Sequence, residues 1–220
     1  MNDIKAVIFD VDGTLFSLKT MRVCMLFEIL FSLVAGKLSI KDIRNLQKYR
    51  REREGIAGLA TPHLKTKHFK TAAEKMHVEY SYLVKLVAEW MYKRPLKYLP
   101  FIGSHKARKN IQLLRNNGIA VFFYSDYPLF NKMKKLNYDF ETSAYWSSLD
   151  IEISAFKPNP KFLYHFQTLH GFTKEEILFV GDRLERDKAL ADNFGCSFLH
   201  IGEFKRDCTK NFDAVKNHTQ

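Results

Sequence analysis

The sequence predicts an α/β protein: a parallel sheet with helices on both faces, interrupted early by one long helical insertion. Three observations carry this. A short apolar run at 4–9 ends abruptly in acidic and glycine residues, as a buried strand does. From about position 99 onward, apolar runs of strand length alternate with amphipathic stretches, the pattern of strands joined by crossover helices. Between 18 and 98 the chain mixes apolar and charged residues with few Pro or Gly and no period-two run, which reads as helix throughout.

Taken in order, the first strand is 4–9, and the stretch 21–36, MRVCMLFEILFSLVAG, is a buried helix that can offer one face as an oligomer contact. GIAGLATP at 55–62 interrupts the helical insertion as a loop. KARKNIQLLRNNG reads as a helix stopped by Gly118, and IAVFFYSD as a buried strand. PLFNKMKKL is helical, and PKFLYHFQTLHG is a helix begun near Pro160 and stopped at Gly171. EEILFVGD is a strand, DKALADNFG a helix and CSFLHIG a last strand. The sheet-forming part is therefore 1–17 with 99–220, and the insertion is 18–98.

The chain has 220 residues, 46% of them hydrophobic, enough for one core and a modest second lobe. Cys24, Cys196 and Cys208 are odd in number and lack metal-ligand spacing, so reduced thiols and a cytoplasmic location are expected. The apolar run before Asp10 is too short for a secretory signal, and 21–36 carries Arg22, Glu28 and Ser32, so no membrane partner is expected. Net charge is +11, and 36–75 alone holds eleven Lys or Arg against four acids. Such a surplus draws acidic substrates, nucleic acid or anionic lipid, or is simply a solvated helix face. No nucleic-acid motif accompanies it, so nucleic acid is not an expected partner.

The stretch VIFDVDGTLF at 7–16 places Asp10 and Asp12 at the end of the first strand. A plain turn explains Asp and Gly there; a calcium loop does not, because Thr14, Leu15 and Phe16 stand where further oxygen ligands are needed. A catalytic reading gains weight from the other strand ends. Ser125 and Asp126 follow AVFFY, Asp182 follows ILFVG with Asp187 five residues on, and Lys157 lies in FKPNP, stiffened by Pro158 and Pro160. Neighbouring parallel strands would bring these to one crevice. Several carboxylates there need neutralising, and a hard cation such as Mg²⁺ does so while also serving a phosphoryl group. One carboxylate is then free to act as nucleophile.

In DVDGT, YSD, the Lys157 of FKPNP and GDRLERD, the chain resembles the haloacid dehalogenase superfamily, with all four motifs in order over 1–17 and 99–205. The resemblance implies a Rossmann-like core with a helical cap inserted after the first strand. It makes Asp10 the nucleophile and Asp12 the acid and base. Ser125 and Lys157 would hold phosphoryl oxygens. Mg²⁺ would sit on Asp10, the main-chain carbonyl of Asp12 and Asp182, with Asp187 supporting, and Thr14 would be a positioning residue. Relatives that cleave carbon–halogen bonds lack an acid at the position of Asp12, so a phosphatase acting on a small phosphorylated metabolite is the implied activity. Asp126 departs from the family's common Asn, and Arg183 from a small hydroxyl residue. A phosphomutase, or a non-catalytic module using the basic insertion, are the alternatives. Arg50, Arg51 and Arg53 precede two glycines and are candidate substrate contacts, or else an exposed helix face. A monomer or a homodimer is expected.

Overall fold

The computed structural model describes residues 4–138 and 144–206; Cys208 and the end of the sheet-forming part lie outside the described residues. Cys24 and Cys196 are free thiols. Five parallel strands form one sheet in the order β3-β2-β1-β4-β5. They are β1 (Ala6–Asp10), β2 (Ala120–Ser125), β3 (Tyr145–Ser147), β4 (Ile177–Gly181) and β5 (Ser197–His200).

β1 is central because every residue in it is buried, as a strand covered on both faces demands. Its side chains divide by parity. Val7 and Phe9 join Val121, Phe123, Leu178 and Val180 in one apolar cluster, while Ala6 and Ile8 join Tyr124, Ile177 and Phe179 in the other. Pairing places Asp10 beside Tyr124, and Phe9 beside both Phe123 and Val180. The chain leaves β1 for β2 on one side, and β4 occupies the other, so a crevice opens at the carboxyl ends around β1.

The segment between β1 and β2 is helical, as read: α1 (Leu18–Val34), α2 (Ile40–Gly55), α3 (Leu64–Met76), α4 (Tyr80–Val87), α5 (Leu99–Ile102) and α6 (His105–Asn116). α4 runs on through a π-helical turn at Ala88–Lys93 and a 3₁₀ turn at Arg94–Lys97. Local signals start these helices. Ser17 caps α1 by accepting from the Thr20 amide, Ser39 and Asp42 form a reciprocal capping box on α2, and Ser104 caps α6. Met21, Met25, Leu46, Tyr49 and Phe69 from the insertion share a cluster with Val7, Phe9 and Phe123 of the sheet. One apolar core therefore spans both parts.

After β2 come α7 (Phe130–Lys135), α8 (Lys161–His170), α9 (Ala189–Phe194) and α10 (Ile201–Arg206). α8 ends where Gly171 takes φ 75°, a left-handed conformation that suits glycine. The stretch read as a strand over 196–202 stops at His200, and α10 begins at Ile201, because buried Ile201 and Phe204 stand three apart as a helix requires. β3 was not read from the sequence at all. No helix among the described residues is long and apolar enough to cross a membrane.

Candidate active site

Three strand ends deliver polar groups to the crevice. Asp10 closes β1, Ser125 closes β2, and Asp182 follows Gly181 at the end of β4. Lys157 arrives from the loop before α8. Its Nζ lies 2.6 Å from Asp10 Oδ1 and 2.8 Å from Asp187 Oδ1, with 3% of its side chain exposed. The structure thus brings Asp10, Asp182, Asp187 and Lys157 together. Thr14 Oγ1 donates to Asp10 Oδ2 at 3.1 Å and so positions that carboxylate.

The turn after β1 depends on glycine. Gly13 has φ +102°, and a Cβ on it would lie 2.1 Å from Asp182 Oδ2. Only a residue without that carbon lets Asp182 approach β1 so closely. Gly181 serves Asp187 in the same way, since a Cβ there would fall 2.4 Å from Asp187 Oδ2. That oxygen accepts from the Asp182 and Arg183 amides at 3.1 Å each, which fixes Asp187 beside Asp182.

Oxygens of Asp10, Asp182 and Asp187 all lie within 4.8 Å of one another. Burial, partly opposed by Lys157 and reinforced by the neighbouring carboxylates, raises Asp10 well above the usual carboxylate range. Burial and then Asp187 push Asp182 up to about 6. Lys157 is the reverse case: burial alone would depress it, but Asp10 and Asp187 outweigh that and hold it above the ordinary lysine range. Asp182 Oδ1 is buried with no hydrogen-bond partner among the described residues. An orphaned carboxylate oxygen in a cluster of hard oxygen donors fits a hard divalent cation, and Mg²⁺ suits that donor set. A cleft of about 430 Å³, lined in part by Gly13, Ser17, Ser104, Asp182 and Lys205, opens beside the group.

Asp12 stands apart from this cluster. Lys132 Nζ holds its two oxygens at 2.5 and 2.7 Å, and Ser125 Oγ donates to Oδ2 at 2.7 Å. Ser125 in turn accepts from the Tyr127 amide at 3.0 Å. Lys132, buried on α7, was missed in the sequence because NKMKK looks like any solvated basic turn. Asp126 turns away from the carboxylates: its Oδ1 accepts from Ser148 Oγ and from the Lys157 amide, capping the loop that carries Lys157.

The insertion is stitched to the same loop. Ala60 and Ala155 form an antiparallel bridge, and the Gly58 amide donates to the Lys157 carbonyl at 3.1 Å. Arg186 Nη1 donates to that carbonyl at 2.8 Å while its Nη2 pairs with Glu54 at 2.6 Å; Arg183 also reaches Glu54. Of the three candidate arginines, Arg50 and Arg51 are exposed on α2. Arg53 is buried, donates to the Asp126 carbonyl, and lies 4.0 Å over the Tyr127 ring and 4.7 Å over that of Phe156.

A family model described as haloacid dehalogenase-like hydrolase matches residues 4–195. The fold is similar to that of a predicted phosphoglycolate phosphatase from Haemophilus somnus, with TM-score 0.59 and 17% identity over 98% of this chain and 99% of that one. It is similar also to a HAD-hydrolase from Bacillus subtilis bound to magnesium, with TM-score 0.60 and 15% identity over 90% and 88% of the two chains. An L-2-haloacid dehalogenase from Xanthobacter autotrophicus gives TM-score 0.56 and 19% identity over 89% and 76%. Identities this low speak for the fold alone. No curated protein matches the sequence significantly.

Proposed function

The chain belongs to the haloacid dehalogenase-like hydrolases, and on that premise we propose that it is a Mg²⁺-dependent phosphatase that hydrolyses a small phosphorylated metabolite through an aspartyl phosphate. The observation that carries the choice of phosphatase over dehalogenase is Asp12. An acid two residues beyond the nucleophile, oriented by Lys132 and Ser125 at the same crevice, is what an alkoxide leaving group needs and a halide does not.

The Asp10 carboxylate attacks phosphorus, the bond from phosphorus to the ester oxygen breaks, and Asp12 gives its proton to the departing alkoxide. Asp12 then takes a proton from water as that water attacks the phosphorus of the aspartyl phosphate, releasing inorganic phosphate and restoring Asp10. Lys157 holds the phosphoryl oxygens and offsets the charge of Asp10 between turnovers, and Ser125 joins it once its one hydroxyl proton turns from Asp12 to the bound phosphoryl group. Asp10, Asp182 and the Asp12 carbonyl would hold Mg²⁺, with Asp187 in support; when bound, the ion offsets negative charge on the transferring group. Residues 18–98 act as a cap on the crevice, and of the three arginines Arg53 is the candidate for the non-reacting end of an anionic substrate, a reading supported by its contact with the loop that follows Ser125.

The test is Asp10→Asn, assayed with Mg²⁺ on a panel of phosphorylated metabolites and on a 2-haloacid. Phosphate release by the wild type should vanish in the variant, whose fold, read by circular dichroism, stays intact. Near-normal phosphate release by a verified variant would sink the covalent mechanism. Halide release in place of phosphate release would sink the phosphatase reading.

A further inference from the structure

The geometry points to α1 as a homodimer interface, formed by two copies of this chain packing their α1 helices antiparallel across a twofold axis. The inner face of α1 is accounted for: Met21 and Met25 enter the core, and Glu28 pairs with Arg94 at 2.6 Å and accepts from Tyr98 at 2.7 Å. The outer face is apolar and uncovered. Val23, Leu26, Phe27, Leu30, Phe31 and Val34 are 53, 54, 66, 50, 70 and 91% exposed. Together they present roughly 700 Å² of apolar surface, more than a monomer usually leaves in one patch and close to the ~800 Å² each partner gives to a standard interface.

Spacing says what kind of surface covers it. Val23, Phe27, Leu30 and Val34 follow one another at intervals of four, three and four, the seam of a helix that packs along another helix, and Leu26 and Phe31 flank that seam. Charge says which helix. Glu28 is the only charged residue between Val23 and Val34, and it faces inward. A helix lying on anionic lipid needs Lys or Arg bordering its apolar face along its length; here Lys19, one turn before Val23, Arg22 and Lys37 all stand beyond the two ends of the seam. On a chain of net charge +11, an uncharged, self-complementary face is one where two copies meet without like-charge contact. Antiparallel packing sets Val23 of one copy beside Val34 of the other, with Phe27 and Leu30 meeting near the axis.

The experiment is sedimentation velocity over a concentration series, with wild type and with the double variant Phe27→Glu, Phe31→Glu. Wild type is expected as a dimer, and the variant as a monomer with an unchanged circular dichroism spectrum, since both side chains lie outside the core. A second measurement stands apart from the variant's folding: in a Cys24→Ser background, Val23→Cys with Val34→Cys should oxidise to a disulfide-linked dimer, while either single substitution should not. Wild type that stays monomeric at the highest concentration overturns the proposal. So does a dimer that survives both glutamates, or a monomer that co-sediments with phosphatidylserine vesicles through the same face.

Discussion

Two neighbouring carboxylates in one turn receive opposite treatment. Asp10 is buried against Lys157 and Thr14, while Asp12 is held in a bidentate grip by Lys132 and touched by Ser125. The first arrangement suits a nucleophile that must be aimed; the second suits an acid that must be aimed elsewhere, at the leaving oxygen. On the proposed mechanism Lys132 positions Asp12, and the effect of removing it depends on how much proton transfer the substrate needs. Lys132→Met should lower kcat on alkyl phosphates by about tenfold to a hundredfold, the scale of one charge-assisted hydrogen bond. Hydrolysis of an activated aryl phosphate, whose leaving group departs without a proton, should fall much less. Equal losses on both substrates would assign Lys132 to structure alone. Asp10, Ser125 and Asp182 were legible because an apolar run ending in a polar residue is visible in one dimension, Asp12 because it stands two residues beyond Asp10, and Lys157 because two prolines mark its loop. Lys132 was not, because only the path of the β2–α7 loop turns it toward Asp12 rather than water.

At the scale of elements, β1, β2 and β4 were readable because strands buried on both faces spell continuous apolar runs. β3 escaped because an edge strand of three residues, Tyr145–Ser147, paired only with β2, leaves no run to see. α2 and the loop after it show how the insertion meets the sheet. Glu54 is clasped by Arg183 and Arg186, so the departure from a small residue at 183 supplies a contact to the insertion. Arg53, one residue earlier and on another side of the helix, sits between the Tyr127 and Phe156 rings. Sequence alone could not separate it from Arg50 and Arg51, since the turn of the helix decides which arginine is buried. Alanine replacements made singly should separate them. Arg50→Ala and Arg51→Ala should leave kcat/KM within about twofold, as surface changes do. Arg53→Ala should reduce it by about tenfold or more on the metabolite, and less on a small aryl phosphate that does not reach the insertion. A loss equal on both would make Arg53 a support of the β2–α7 loop instead.

For the molecule as a whole, the carboxylate group is a point where stability and the proposed metal binding meet, because Asp10 and Asp182 belong to neighbouring strands and Lys157 to the loop that the insertion grips. The sign of the pH dependence follows from the raised carboxyls. Asp182 is pushed up to about 6 from an ordinary 3.8, chiefly by burial, and Asp10 is raised in the same direction. An acid whose folded value is raised stabilises the fold fully below its unfolded value, and that contribution is lost as pH climbs through the folded one. The metal-free protein should therefore lose stability from this group between about pH 4 and pH 6. Mg²⁺ held as proposed would bind the ionised form, so protons would compete with it across the same window, and apparent affinity should be about tenfold weaker at pH 5 than at pH 7. Differential scanning calorimetry of the metal-free protein, with and without millimolar MgCl₂, reads both effects. The rise in Tm on adding Mg²⁺ should be small at pH 5, larger at pH 7, and absent at either pH in Asp182→Asn. A shift of the same size at both pH values, or one that persists in Asp182→Asn, would place the ion elsewhere and remove Asp182 from its shell.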